Sequence, residues 1–298
     1  MDFEKFCCEN QINLKLGEVM KNHTSFKIGG KTDYFVNVCS LQELKAVIKK
    51  AKELKIPYFI LGKGSNLLVS DKGIDGIVIC LTSLNKITVL GDEIIADAGA
   101  SLAHVCMKAY ENGLTGLEFA YGIPGTIGGG LYMNAGAYGG EMSQVVASAE
   151  CIDSDANTEM IDISEMQLGY RTSIFKTNGK IITSVKFKLK KGNCDEIKVK
   201  MDDYMSRRKD KQPLEYPSAG STFKRPEGYF AGALIEKNNL KGFSIGGAMV
   251  SEKHAGFVIN YSNATSEDVK NLIKEIQKKV LENDNVSLEP EVIFVGRE

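Results

Sequence analysis

The sequence predicts an α+β fold. Three features carry this prediction: amphipathic helices with clear caps, several short β-rich runs, and an irregular order of helices and strands along the chain. A regular alternation of strand and helix would instead be expected of a parallel α/β sheet. Two glycine-rich stretches, residues 62–69 and 121–139, interrupt this pattern and direct the functional interpretation.

The first half of the chain has the clearest local signals. Ser40 and Glu43 form a predicted capping box, and apolar residues then recur at helical spacing up to Leu54. Ser101 is the predicted cap of a second helix, which should end near Asn112 because a glycine follows. The predicted strands are 58–61, 77–81, 87–90 and 93–98, with a hairpin turn at 91–92.

From residue 145 onward the pattern consists mainly of strands. Strands are predicted at 145–153, 158–163 and 181–189, with Asn178-Gly179 as a hairpin turn into the last of them. A charged helix over 195–211 is followed by Pro213 and Pro217, which mark a domain boundary. The remaining segment predicts helices near 230–238 and 266–281, and strands near 248–250 and 257–259.

Composition and charge exclude several classes of protein. The 298 residues carry 37 basic and 38 acidic side chains, so no basic excess favours nonspecific binding to nucleic acid or anionic lipid. Seven cysteines without Cys-x-x-Cys or His at ligand spacing predict reduced thiols and no metal site. Because no signal-peptide segment and no run of 18 apolar residues is found, we expect a cytoplasmic protein with no membrane partner.

The glycine-rich block at 121–139 predicts a ligand-binding loop. Glycine loses more conformational entropy on folding than any other residue, so such a concentration indicates positive φ or close approach to another group. Residues 122–129 carry no charged side chain, so a diphosphate would be bound by main-chain N–H groups. A mobile linker is the alternative, but the interleaved apolar residues favour an ordered, buried loop.

The stretch at 62–69 follows the apolar run 58–61 and resembles a phosphate-binding turn, although it lacks the third glycine of a Rossmann fingerprint. Five segments in sequence order resemble the UDP-N-acetylenolpyruvoylglucosamine reductase (MurB) family, from about residue 17 to the end: 62–69, 123–139, 170–176, 219–226 and 288–292. The compact length agrees with the shorter form of this family, which lacks an extra tyrosine-bearing loop.

The resemblance implies an FAD-binding fold of the vanillyl-alcohol-oxidase/PCMH type with a C-terminal α+β substrate domain. It implies an FAD-binding region at 17–204, with two subdomains split near residue 85, and a substrate-binding domain at 205–298. The last strand is a candidate to return to the first subdomain. The implied reaction is reduction of UDP-N-acetylglucosamine enolpyruvate to UDP-N-acetylmuramate in peptidoglycan precursor synthesis. FAD is the implied cofactor and NADPH the implied reductant, with no obligate protein partner.

Three residues match the catalytic positions of the family. By this resemblance Ser221 matches the family's proton donor, and its hydroxyl can protonate the strongly basic intermediate of this reduction. Arg171 would hold the substrate carboxylate with its guanidinium fork, and Glu291 would have to be protonated, or share a proton, to stabilise an enolate. Taken alone, a turn serine and two surface ion pairs would be the ordinary interpretation.

The residues expected to contact FAD lie in the two glycine-rich stretches: Gly62, Gly64, Ser65, Asn66, Leu67, Gly122, Pro124, Gly125, Thr126, Ile127, Gly128, Gly129, Asn134, Ala135, Gly136 and Ala137. Those expected to contact the substrate flank the catalytic motifs: Tyr170, Lys176, Lys211, Lys224 and Arg225. Solvated charge is the alternative for Lys211, Lys224 and Arg225. No histidine stands in a nucleophile pattern; His104 is expected to pack, and His254 is a weaker candidate for the substrate site.

Two alternatives remain. One is another FAD-dependent oxidase or reductase of the same fold; such enzymes often tether flavin through His or Cys, and neither glycine-rich stretch contains these residues. The other is a nucleotide-binding protein without chemistry, which the intact Arg171, Ser221 and Glu291 argue against. One departure is that Ile293 stands where the family usually has arginine, which puts the support of the Glu291 loop in doubt.

Overall fold

The computed structural model describes residues 2–298. Its helices are α1 (Phe3–Glu9), α2 (Leu41–Leu54), α3 (Leu102–Glu111), α4 (Ile127–Tyr132), α5 (Cys194–Lys211), α6 (Ala231–Lys237) and α7 (Ser266–Asp284). Its strands are β1 (Asn13–Leu16), β2 (Thr32–Asn37), β3 (Tyr58–Leu61), β4 (Leu67–Val69), β5 (Ile74–Cys80), β6 (Ile87–Leu90), β7 (Glu93–Asp97), β8 (Leu114–Thr115), β9 (Gly136–Ala137), β10 (Gly140–Glu141), β11 (Val146–Ile152), β12 (Thr158–Asp162), β13 (Ile181–Lys188), β14 (Lys190–Lys191), β15 (Ser244–Ile245), β16 (Ala248–Val250), β17 (Val258–Asn260) and β18 (Ile293–Val295). Within residues 2–298, no helix has the length and apolar character needed to cross a bilayer.

The chain divides into two compact units. Unit 1 comprises the residues up to Leu16, Tyr34–Lys63 and Gly76–Arg208, and unit 2 comprises Gly17–Asp33, Gly64–Asp75 and Lys209–Glu298. The predicted functional domains, 17–204 and 205–298, assign residues 17–33, 64–75 and 205–208 differently from these units. Because compactness does not assign function, those domains stay a prediction.

Unit 1 is built around two sheets. One has the strand order β1-β2-β5-β3, in which β3 and β5 run parallel, and the other is antiparallel with the order β12-β11-β13-β7-β6. Helix α2 buries Leu44, Val47 and Ile48 in the core of this unit, as its helical spacing predicts. The strands predicted at 58–61, 87–90 and 93–98 are confirmed to within a residue.

Two local predictions in unit 1 need correction. The Ser40 hydroxyl accepts from the N–H of Glu43 as predicted, but the Glu43 carboxylate accepts from Cys39 N at 2.8 Å and not from Ser40 N, so the reciprocal bond of the capping box falls one residue earlier. The predicted hairpin at Asn178-Gly179 is wrong. A 3₁₀ helix, Ile174–Lys176, precedes the turn instead of a strand, and β13 pairs with β11 and β7.

Unit 2 has one long helix packed beside a small sheet. Helix α7 begins at a capping box between Thr265 and Asp268, and it buries its apolar face in the core of unit 2. The sheet has the order β15-β16-β17. The last strand, β18, pairs in parallel with β4, with Ile293 opposite Leu67. This pairing connects the C-terminal residues to the segment that follows the first glycine turn.

Candidate active site

The two glycine-rich stretches contact each other in unit 1 at Gly62 and Thr126. A Cβ atom at Gly62 would lie 2.5 Å from the Thr126 hydroxyl, closer than real Cβ contacts allow. That hydroxyl accepts from Gly129 N at 3.3 Å and thereby caps α4, a helix that the sequence interpretation treats as loop. Glycine at position 62 therefore lets the two stretches approach without displacing the cap.

The second stretch presents main-chain N–H groups that have no protein acceptor. Its carbonyl at Gly125 accepts from Leu102, and Ile127 N donates to Ala100 O at 2.8 Å. Between these bonds, the N–H groups of Gly125 and Thr126 find no acceptor among residues 2–298, although Thr126 is buried. Buried N–H groups without a partner are rare in folded proteins, so this segment fits an anionic or carbonyl-bearing ligand.

The part of the first stretch that belongs to unit 2, residues 64–69, shows the same property. The N–H groups of Gly64, Ser65 and Asn66 have no acceptor in the described part of the chain, residues 2–298. Gly64 has a φ of 60°, and a Cβ there would lie 2.3 Å from the carbonyl oxygen of His23. Glycine is thus required at this turn by both conformation and space. Main-chain N–H groups of this kind fit the oxygens of a diphosphate, such as the one in FAD.

Gly128 and Gly129 have different roles in α4. The N–H of Gly128 donates to Ala98 O at 2.8 Å, and a Cβ at Gly128 would lie 2.9 Å from the Ala98 Cβ. Gly128 therefore packs α4 against the residues that follow β7. Gly129 is exposed, and the nearest atom to a Cβ there would be the Thr126 hydroxyl at 3.4 Å.

We expect Gly129→Val to fold and to lose most of its flavin, because its branched side chain would project beside the unpaired N–H groups. Gly128→Val should instead be destabilised by about 1–3 kcal/mol through overpacking against Ala98. The measurements are the flavin-to-protein ratio and the thermal melt of each variant, with Gly129→Ala as the control for a small side chain. A soluble Gly129→Val protein with full flavin content would show that this face of α4 does not contact the cofactor.

The end of the glycine-rich block fixes the Arg171 motif in unit 1. Asn134 is fully buried, and its side chain donates to Gly169 O at 2.9 Å and accepts from Ser143 N at 3.0 Å. Arg171 donates from Nη2 to Gly136 O at 3.2 Å. The side chain of Asn134 is thus engaged by protein, and it positions the motif at 169–172.

Tyr170, Arg171 and Lys176 lie together. Gly169 and Thr172 exchange hydrogen bonds, so that the two residues between them form a tight turn in which Arg171 has a φ of 54°. Lys176 Nζ donates to Arg171 O at 2.7 Å, and the Arg171 guanidinium lies 5.1 Å from the Tyr170 ring. The sequence motif therefore folds into one small cationic cluster, which suits an anionic substrate.

Ser221 and Glu291 lie on adjacent segments of unit 2. Glu291 N donates to Thr222 O, and Lys224 N donates to Glu289 O, both at 2.8 Å. Thr222 is buried, and its hydroxyl accepts from Val258 N at 2.9 Å. Ser221 is exposed at the edge of this frame. The structure therefore places two of the three predicted catalytic residues on one rigid frame, while Arg171 belongs to unit 1.

The Glu291 segment is supported by Asn66 and not by the side chain of residue 293. Asn66 Nδ2 donates to Glu291 O at 3.1 Å, and Ile293 N donates to Asn66 O at 3.0 Å. Both bonds use the main chain of residues 291–293, so isoleucine at 293 leaves this support intact. Asn66, predicted only as a cofactor contact, thus also positions the catalytic segment, and no local sequence signal indicated this.

The remaining predicted substrate contacts are arranged as follows in unit 2. Lys224 forms an ion pair with Glu289, the Arg225 guanidinium lies 3.8 Å from the Phe230 ring, and Lys211 is exposed.

Burial lowers the pKa of His254, and the charges of Lys241 and Lys211 lower it further. His23 bonds Glu18 at 2.7 Å. His104 is exposed on α3, so the prediction that it packs is wrong.

Comparison with known proteins identifies the class first. A model described as FAD binding domain matches residues 32–163, and the structure of the grass pollen allergen Phl p 4, which has glucose dehydrogenase activity, shares the fold at 13% identity. The TM-score of that likeness is 0.50, and it covers 65% of this chain and 45% of the allergen. The fold and the glycine-rich stretches define an FAD-dependent oxidoreductase, and the predicted fold class is confirmed.

Proteins that are more similar to this chain identify its family. A model described as UDP-N-acetylenolpyruvoylglucosamine reductase, C-terminal domain, matches residues 212–295. A reductase of that name from Clostridium novyi (strain NT) is 52% identical over 285 residues, which are 96% of this chain and 93% of the relative. The crystal structure of MurB from Thermus caldophilus is 34% identical with a TM-score of 0.81, covering 95% of this chain and 98% of that one. The chain belongs to the UDP-N-acetylenolpyruvoylglucosamine reductase family, as predicted.

Proposed function

We propose that the protein reduces UDP-N-acetylglucosamine enolpyruvate to UDP-N-acetylmuramate with electrons from NADPH, a step of peptidoglycan precursor synthesis. The observation that carries this proposal is that Arg171, Ser221 and Glu291 are all present in a chain 52% identical, over nearly its whole length, to a reductase of that name. Through this step the protein would serve cell-wall biogenesis, and hence cell shape and division.

Bound FAD would supply the redox chemistry, accepting two electrons from a nicotinamide and passing them to the enolpyruvyl group. We propose that the unpaired N–H groups at Gly64–Asn66 and at Gly125 and Thr126 bind this cofactor. The support is that both segments lack acidic side chains and require glycine beside them, at Gly64 and Gly62. Gly62, Leu67, Gly122, Pro124, residues 127–129 and the main chain of 134–137 complete the proposed set.

Ser221 would donate the proton that completes the reduction. Addition of a hydride to the terminal carbon of the enolpyruvyl group would leave negative charge on the carbon beside the substrate carboxylate. The Ser221 hydroxyl would then protonate that carbon. Serine is a weak acid, but the carbanion is a far stronger base, so the transfer runs downhill. Support comes from the rigid frame of Thr222, which presents an exposed hydroxyl at Ser221.

Arg171 and Glu291 would stabilise the charge that develops during reduction. A guanidinium can bind the substrate carboxylate through two hydrogen bonds and hold it more strongly as charge moves onto it. Glu291 would stabilise the enolate form of the same group. Tyr170, Lys176, Lys211, Lys224 and Arg225 would bind the anionic nucleotide sugar.

We also propose a cytoplasmic location. The support is that the seven cysteines are all free thiols in the structure, which agrees with a reducing compartment.

The flavin should be bound noncovalently, because the two glycine-rich stretches contain no cysteine or histidine that could tether it. Purified protein is expected to be yellow and to bleach with NADPH under nitrogen. After acid precipitation, the supernatant should contain FAD. Flavin retained on the pellet would contradict this assignment and favour another oxidase or reductase of the same fold.

A further inference from the structure

Asn66 connects the first glycine-rich stretch to the segment that carries Glu291. Its side-chain Nδ2 donates to Glu291 O at 3.1 Å, and its own carbonyl oxygen accepts from Ile293 N at 3.0 Å. The parallel pairing of β4 with β18 continues this contact, with Ile293 opposite Leu67. Asn66 therefore bonds the main chain on both sides of residue 292.

The two peptide groups that flank the Cα atom of Glu291 are held by different segments of unit 2. On one side, Glu291 N donates to Thr222 O at 2.8 Å, and Thr222 directly follows Ser221. On the other side, the carbonyl of Glu291 accepts from the amide of Asn66. Fixing both peptide planes fixes φ and ψ of Glu291, and with them the direction of its Cα–Cβ bond. Asn66 and Thr222 together thus direct the Glu291 carboxyl group.

The main chain of Asn66 belongs to the turn that we assign to the cofactor. Its N–H has no acceptor within residues 2–298, and it is one of the groups proposed to bind the diphosphate of FAD. Because the side chain of the same residue holds Glu291, an opening of this turn would release the Glu291 carbonyl as well. FAD bound at the turn should therefore reduce local opening of residues 291–293.

We propose that Asn66 is a positioning residue of the reduction, whose side-chain amide holds Glu291 in register with the cofactor turn and with Ser221. The inference rests on the proposed function, in which Glu291 stabilises the enolate form of the substrate. A displacement of about 1 Å in a catalytic site can cost about 10²-fold in rate. One hydrogen bond at this point therefore affects turnover through Glu291, whereas the N–H of Asn66 serves the cofactor.

The test compares Asn66→Ala with Gln277→Ala. Asn66→Ala removes the amide and keeps the main-chain N–H. Gln277 is the matched control, because its side-chain amide donates at 2.8 Å to the main-chain carbonyl of Leu288, three residues before Glu291. Each variant is loaded with FAD. Anaerobic stopped-flow absorbance then measures, per bound flavin, bleaching by NADPH and recovery with UDP-N-acetylglucosamine enolpyruvate.

Recovery of the flavin absorbance should slow by about 10-fold or more in Asn66→Ala and stay within about twofold of wild type in Gln277→Ala. Bleaching by NADPH should keep the wild-type rate in both variants, because that step does not use Glu291. In a Glu291→Gln background, Asn66→Ala should add less than about twofold, since residues that act as a unit are not additive.

Three results would overturn the proposal: equal slowing of both half-reactions in Asn66→Ala, recovery as fast as in Gln277→Ala, or the full loss of rate in the Glu291→Gln background. Asn66→Ser gives the same comparison if the alanine variant does not fold, because its hydroxyl is too short to reach the Glu291 carbonyl.

Hydrogen–deuterium exchange separates this inference from the proposed function, since it needs neither NADPH nor substrate. FAD should protect the N–H groups of residues 291–293 in the wild-type protein, and Asn66→Ala should lose most of this protection. Equal protection in the two proteins would overturn the role of Asn66. Wild-type protein that binds FAD but neither bleaches with NADPH nor turns over the substrate would contradict the function, and the exchange measurement would still judge Asn66.

Discussion

Ser221→Ala is expected to bleach with NADPH at the wild-type rate and to recover its flavin absorbance with UDP-N-acetylglucosamine enolpyruvate about 10²- to 10⁴-fold more slowly. The first half-reaction needs no proton from a serine, whereas the second must protonate a carbanion. The frame that holds Ser221 depends on main-chain bonds of Thr222 and on its hydroxyl, so alanine at 221 leaves the fold unchanged. Anaerobic stopped-flow absorbance follows both steps separately.

Ser221→Cys is the matched control for this variant. A thiol at the same position is still a proton donor, so it should retain more activity than alanine. Recovery of the flavin absorbance in Ser221→Ala at the wild-type rate, with the normal product, would remove Ser221 from the role of acid. The FAD assignment would not be affected by that outcome.

Arg171→Lys is expected to lose about 10²-fold or more in turnover, nearly as much as Arg171→Ala, because lysine keeps the charge but cannot make paired hydrogen bonds to a carboxylate. The turn itself should survive, since it is closed by bonds between Gly169 and Thr172. Steady-state rates at saturating substrate give the answer. Arg207→Lys, on an exposed residue, controls for the change of cation. Near-normal turnover of Arg171→Lys would reduce Arg171 to a general electrostatic role.

Local signals in the sequence predicted those parts of the fold that depend on local interactions. The hydroxyls of Ser40 and Ser101 cap the helices expected after them, and β3, β6 and β7 lie within a residue of the β-rich runs that predicted them. Helix α4 could not be predicted in this way, because three consecutive glycines have low helix propensity. Its formation depends on packing of Gly128 against Ala98, a contact between segments that are distant in sequence.

The site was predictable only as a set of separate motifs. The resemblance indicated Arg171, Ser221 and Glu291, but it gave no indication that Asn66 bonds the main chain of Glu291 from 225 positions away.

The central claim is that this protein reduces an enolpyruvyl nucleotide sugar. The most direct measurement mixes NADPH-bleached enzyme, freed of excess NADPH under nitrogen, with UDP-N-acetylglucosamine enolpyruvate and determines the product by mass spectrometry. Our account predicts recovery of the yellow colour and one product per flavin, heavier than the substrate by two hydrogen atoms and identical to UDP-N-acetylmuramate. Flavin that stays bleached until oxygen is admitted, with the substrate recovered unchanged, would contradict it.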